Sequence, residues 1–218
     1  MSDARLLHDV SRYYESKLHE FGPVARGVDW AGEESQRLRF AQLLKVLDDL
    51  DLDGPVQIAD IGCGYGALVE FLRQRPIAFS YVGYDVSREM LATAETLFAG
   101  QGHRVRFVQD WDAVPEVDVA VASGVFNVRL TYSDDVWRQY VLDTLQAIHG
   151  KVRFGWAANF LTIYSDADRM RSDLYYADPG SVFDWCKRTL TKEVAVLHDY
   201  GLYEFVVIAR KVARGRRP

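Results

Sequence analysis

Cysteine is scarce in this chain: Cys63 and Cys186 stand 123 positions apart, outside any C-x-x-C or Cys/His pattern. Neither a structural zinc site nor a disulfide framework is indicated, and a reducing setting fits. Long apolar runs are missing as well. No stretch reaches the roughly 18 apolar residues of a membrane span, and the first ten residues lack the apolar core of a secretory leader. We therefore expect a cytoplasmic protein without a membrane span. Basic excess is also absent: 26 Lys and Arg face 31 Asp and Glu, a net charge of -5. Such a chain lacks the charge balance that neutralises a nucleic-acid backbone, so a small-molecule partner is expected and a nucleic acid is not. A local exception is the stretch 210–218, with five basic side chains, of which 213–218 reads as a solubilising tail.

What is present is material for a packed core. Hydrophobic residues make up 49% of the 218, enough for one well-buried domain but short for two catalytic units. Helical periodicity covers residues 4–20 and 33–49, joined by 21–30, where Gly22, Pro23 and Gly27 break the pattern and Trp30 offers an apolar anchor. Residues 1–52 read as a helical cap or lid on a core spanning 53–212. From residue 56 short apolar runs near 56–61, 80–84, 104–108, 117–122 and 151–158 alternate with helical stretches near 66–74, 87–99, 134–148 and 179–189. Two further strand-like runs, 194–198 and 203–210, are separated by too few residues for a parallel crossover and form an antiparallel hairpin. The expected fold is α/β: a Rossmann-like, seven-stranded, mostly parallel sheet with one reversed C-terminal strand and helices on both faces.

The chemistry concentrates where the first strand ends. The run Ala59-Asp-Ile-Gly-Cys-Gly-Tyr-Gly66 leads from strand to helix, and its glycines let backbone approach a ligand with no Cβ in the way. Nineteen residues on, Asp85 ends the second strand, where a carboxylate can accept both hydroxyl protons of a ribose. The spacing of Gly62, Gly64 and Ala67 also satisfies the dinucleotide pattern G-x-G-x-x-G/A, so a nicotinamide-dependent oxidoreductase stays open on spacing alone. Asp60 argues against it: a carboxylate two positions before the first glycine does nothing for a pyrophosphate but suits an ammonium group.

The run 59–66 resembles motif I of class I S-adenosylmethionine (SAM)-dependent methyltransferases, and 82–90, with Asp85, is similar to their second motif. The likeness extends over roughly 56–128 and the terminal hairpin. It implies SAM as cofactor, with Asp60, Gly62, Cys63, Gly64 and Gly66 around its methionine part and Asp85 on its ribose. Asp110 and Trp111, in the run 107–111, match the acid that binds the adenine amino group and the residue that supports the ring. Ser123, Gly124, Val125 and Asn127, at the end of the fourth strand, match the segment beside the sulfonium and the acceptor. That segment lacks the Asn/Asp-Pro-Pro-aromatic sequence of exocyclic-amine and glutamine methyltransferases. A small-molecule acceptor methylated on oxygen is therefore favoured over nitrogen or sulfur, with a noncatalytic SAM-binding protein as a further alternative.

Candidates for acid–base work are His19, beside the Gly22-Pro23 loop, and His198 and Tyr200 at the hairpin turn. No histidines share metal-ligand spacing, so no metal is expected. Because ligands meet such sheets at strand ends, Asn159, following the fifth strand, and Arg169 and Tyr175 beyond it are candidate acceptor contacts with Asn127. The sequence leaves the oligomeric state open.

Overall fold

The structure, a computed structural model, describes residues 4–48, 50 and 54–211, so the expected tail at 213–218 lies outside the described residues. Helix α1 (Ala4–Phe21) and helix α2 (Glu33–Leu43) precede the sheet. The pattern expected to continue to residue 49 tightens after Leu43 into a 3-10 turn, Leu44–Leu47. The core then alternates: β1 (Val56–Ile61), α3 (Ala67–Arg73), β2 (Phe79–Tyr84), α4 (Arg88–Leu97), β3 (Val105–Val108), β4 (Val117–Ala122), α5 (Asp134–Lys151) and β5 (Val152–Thr162). It closes with β6 (Tyr176–Ala177), α6 (Pro179–Thr189), β7 (Glu193–Leu197) and β8 (Glu204–Arg210).

Local chemistry sets these boundaries. Ser87 Oγ accepts from Met90 N at 3.2 Å and starts α4. Asp178 accepts from Gly180 N at 2.8 Å and starts α6, with Pro179 in the first turn. Strands β4 and β8 are buried along their whole length between two helical layers and are apolar except for Asp118, Glu204 and Arg210.

The sheet runs β3-β2-β1-β4-β5-β8-β7, with β6 paired to the end of β5. β8 is antiparallel to both β5 and β7, the single reversed strand expected. The sheet holds eight strands rather than seven: β5 continues to Thr162, and the two-residue β6 pairs with Leu161 and Thr162. Two residues carry no readable alternation, so β6 is invisible to periodicity.

Helices α5 and α6 pack one face of the sheet around Trp137, Trp156 and Phe160, joined by Leu6 of α1. The other face holds α2, the 3-10 turn and α3, through Phe40, Leu43, Leu68 and Leu72. Residues 1–52, expected as a cap within the same domain, thus contribute two helices with different surroundings. The second helix is part of the core layer, because its apolar side chains find the sheet, and only α1 with the connector to Trp30 lies over the strand ends.

At the centre, Phe160 stacks between Phe126, with centroids 5.0 Å apart, and Phe205, at 5.3 Å. Phe160→Ala should lower stability by about 3–5 kcal/mol, read by urea denaturation; a loss below about 1 kcal/mol would show that the neighbouring rings close the gap.

Candidate active site

The chain order reverses direction across the sheet between β1 and β4, which leaves a crevice at their C-terminal ends. A cavity of about 630 Å³ opens there, inside the roughly 300–1,000 Å³ range of small-molecule sites. Its wall crosses four strand ends in order: Asp110 and Trp111 after β3, Asp85 after β2, Gly62 and Gly64 after β1, Ser123 and Gly124 after β4. Three strand spacings separate the ends of that path, ~14 Å, so the cavity suits an elongated ligand.

The turn after β1 is shaped by backbone that needs glycine. Gly62 has φ +71°, and a Cβ there would lie 2.6 Å from Val125 Cγ2. Gly64 N donates to Asp85 Oδ2 at 2.8 Å, while Ser87 N donates to Asp85 Oδ1 at 2.8 Å. Burial raises the Asp85 carboxyl above its usual range, and these two N–H groups partly oppose the shift. Asp110 is exposed at the rim, where its Oδ1 accepts from Asp112 N at 3.0 Å. The Trp111 ring meets Tyr84 edge-on at 5.3 Å.

Helix α1 forms the roof. Ser11 and Ser87 hydroxyls both donate to Glu15 Oε1, at 2.9 and 2.8 Å, tying the roof to the start of α4. Tyr14 reaches the far wall, where its hydroxyl donates to Gly124 O at 3.4 Å. Trp30 lies against Gly124, which has φ +78°; a Cβ at Gly124 would come within 2.6 Å of the indole.

The charge of this wall is one-sided. Asp85, Asp110, Asp112 and Asp143 line it, and no Lys, Arg or His does among the described residues. Rings of Tyr14, Trp30, Tyr84, Trp111 and Tyr140 complete it. Carboxylates and aromatic faces attract a cation and repel a pyrophosphate. The cavity therefore fits a nucleoside carrying positive charge, as SAM does, and disfavours a nicotinamide dinucleotide.

Sequence comparison agrees with this chemistry. Residues 58–148 match the model of the "methyltransferase domain" family. A putative methyltransferase of Mycobacterium tuberculosis is 47% identical over 159 residues, 73% of this chain and 95% of that protein. The chain belongs to the class I SAM-dependent methyltransferases. A trans-aconitate 2-methyltransferase of Rhodopseudomonas palustris is 33% identical over 103 residues, 45% of this chain and 40% of its own length. Among solved structures, the SAM-bound magnesium protoporphyrin IX methyltransferase of Synechocystis shares the fold, with a TM-score of 0.63 at 13% identity, covering 97% of this chain and all of that one. SAM is the methyl donor of this methyltransferase.

The expected cofactor residues divide into two groups. Gly62, Gly64, Asp85, Asp110, Trp111, Ser123 and Gly124 all line the cavity. Asp60, Cys63 and Gly66 do not line it. Alternation along β1 sends Ile61 toward the cavity and Asp60 to the opposite face, where Asp60 Oδ2 accepts from Tyr81 OH at 2.7 Å. Cys63 is buried, its Sγ directed to Gly64 O at 3.6 Å. Gly66 makes room for packing instead: a Cβ would meet Phe98 at 2.9 Å.

The expected acceptor and acid–base residues are not brought into the cavity wall. His19 pairs with Glu89 on the surface at 2.6 Å, and His198 is exposed against Tyr164 and Phe205. Tyr200 has a buried hydroxyl without a hydrogen-bond partner, close to Glu204 and Arg39 rather than to the cavity. Arg169 is exposed on a 3-10 turn, and Tyr175 joins the core near Asp134 and Arg138 of α5, its N donating to Asn127 O at 2.8 Å. Asn159 stands directly behind the wall, accepting from Gly124 N at 2.7 Å. Sequence reasoning missed Leu7, Val10 and Tyr14 of the roof and Tyr140 and Thr144 of α5. These residues show only ordinary helical periodicity, with no signal that one helix turn faces a ligand.

Asp85→Ala should weaken SAM binding by about 1.5–3 kcal/mol, the value of hydrogen bonds to a charged acceptor; unchanged affinity in calorimetry would remove Asp85 from the ribose contact. A second expectation concerns pH. Burial pushes Asp60 up to about 7, with the Tyr81 hydroxyl opposing. From about pH 4 to that value the folded chain holds a proton that the unfolded chain has released. This group's contribution to stability is thus complete below about pH 4 and is lost as pH rises through 7. Asp60→Asn should flatten that decline, and parallel stability curves for wild type and variant from pH 4 to 8 would contradict the assignment.

Proposed function

We propose that this methyltransferase transfers the methyl group of SAM to an oxygen of a small-molecule acceptor, and that the oxygen belongs to a carboxylate. The observation that carries the reading is the wall after β4. The segment Ser123 to Val125 and Trp30 offer hydroxyl and apolar groups, the described lining holds no histidine or lysine, and its carboxylates, Asp85, Asp110, Asp112 and Asp143, stand on other elements. An alcohol would need a base there, whereas a carboxylate arrives already ionised, and since the described lining holds no cation its charge is met by the sulfonium of bound SAM itself, leaving only alignment to the protein. The name of the trans-aconitate relative, whose nucleophilic atoms are carboxylate oxygens, supports the same class.

In this reading Gly62, Gly64 and the Gly124 peptide cradle the methionine part of SAM, Asp85 accepts from the ribose, Asp110 accepts from the adenine amino group and Trp111 supports the ring. SAM supplies a methyl on a cationic sulfur, and the S–CH3 bonding pair stays on sulfur as the acceptor oxygen forms the new bond. Helix α1 excludes water by lying over the cavity, and the aromatic walls stabilise the cation before transfer. Ser123 Oγ, buried in the wall without a partner, is free to orient the acceptor. The net charge of -5 favours a small molecule over RNA or DNA.

The test is transfer from methyl-labelled SAM into an extract of bacterial metabolites and RNA, followed by mild alkali. A methyl ester is expected to release the label as methanol from the small-molecule fraction. Label that survives alkali would exclude a carboxylate, and label in RNA would exclude a small-molecule acceptor. Tight SAM binding without any transfer would favour a noncatalytic binding protein.

A further inference from the structure

The wall after β4 is gripped from behind by a closed circuit of buried groups. Gly124 N donates to Asn159 Oδ1 of β5 at 2.7 Å, and Asn159 Nδ2 donates to Glu204 Oε2 of β8 at 2.6 Å. Glu204 Oε1 accepts from Arg39 of α2, at 2.6 Å from Nε and also from Nη2. The Arg39 guanidinium carbon lies 3.9 Å from the centre of the Trp30 ring. Trp30 closes the circuit on the Cα of Gly124. Asn159, Glu204 and Arg39 are 0%, 2% and 7% exposed.

Stability is a poor explanation for such an arrangement. Burying an ion pair strips water from both charges, and a well-packed apolar pair of similar volume holds a fold at least as well. Arg39 Nη1 is in addition buried without a hydrogen-bond partner. What the circuit does achieve is geometric. Gly124, at φ +78°, sits where local preference leaves the peptide free to turn, and the circuit fixes it through its N–H on one side and its Cα on the other.

We propose that Glu204 is a positioning residue for the amino-acid end of SAM, holding the Gly124 peptide in the cavity wall through Asn159 and through Arg39 and Trp30. This rests on the reading of the cavity as the SAM site. Glu204 itself touches no ligand. It lies behind the β4 end of the wall, and that end is three strands from β3, which Asp110 follows at the adenine end, so its influence is confined to one part of the cofactor.

The experiment is calorimetry of wild type, the double variant Arg39→Gln with Glu204→Gln, and Arg39→Lys, each with SAM, S-adenosylhomocysteine and adenosine. The double variant removes both buried charges together and so avoids stranding one of them. It is expected to lose about tenfold to a hundredfold in affinity for SAM and S-adenosylhomocysteine, as supporting residues behind a site do, while adenosine stays within about twofold of wild type. Arg39→Lys keeps a charge opposite Glu204, and with it the fold, but gives up the forked, ring-stacked contact. It should show the same selective loss to a smaller degree, whether or not the double variant folds. Wild-type affinity for all three ligands in either folded variant overturns the proposal, as does a parallel loss of adenosine. Failure of the wild-type protein to bind SAM would instead overturn the reading of the cavity.

Discussion

The reversal of strand order between β1 and β4 is the constraint on which the site depends. Parallel strands on either side of the reversal send their following loops apart, and the gap they leave is where Gly62, Gly64, Ser123 and Gly124 present backbone to a ligand. Close approach across that gap is possible only because the turns carry no Cβ at the points where Val125 and Trp30 press in. The sheet thus creates the opening, and the glycines keep it from filling with the protein's own side chains.

Charge then selects what enters. Asp85 and its neighbours make the wall acidic without a compensating basic group among the described lining residues, and five aromatic rings line the same space. A pyrophosphate finds no partner there, whereas a cationic sulfur and an ammonium do. Arg39, stacked on the Trp30 ring of the wall, is already paired with Glu204, so its charge is spent on holding the wall and not on attracting an anion. The same pairing leaves Tyr200 enclosed beside Glu204 rather than open to a substrate.

The core of this architecture was legible before any coordinates. Strands 56–61 and 117–122 coincide with β1 and β4, and the antiparallel hairpin appears as β7 and β8, because apolar runs and turn residues are local signals. The placement of Asp85, Gly62 and Gly64 at the cavity is also legible, since strand, turn and helix place them by sequence spacing alone. Asp60 stands apart from the cavity lining because alternation from Ile61 sends its side chain to the other face of β1, to Tyr81, which strand-end position alone does not reveal. His19 and His198 lie outside the cavity lining for a related reason: proximity to a loop in sequence says nothing about whether a side chain turns outward, as His19 does toward Glu89.

By itself, the sequence determined the fold class, the strand-end glycines and the acid that follows β2, all of which are set by contacts within one supersecondary unit. Only the tertiary structure decided that α1 forms the roof while α2 belongs to the core, that α5 contributes Tyr140 and Thr144 to the wall, and that Arg39, Glu204 and Asn159 converge behind Gly124. Those three residues are up to 165 positions apart. Their meeting depends on how β8 inserts beside β5 and how α2 crosses beneath them, which no local pattern of residues encodes.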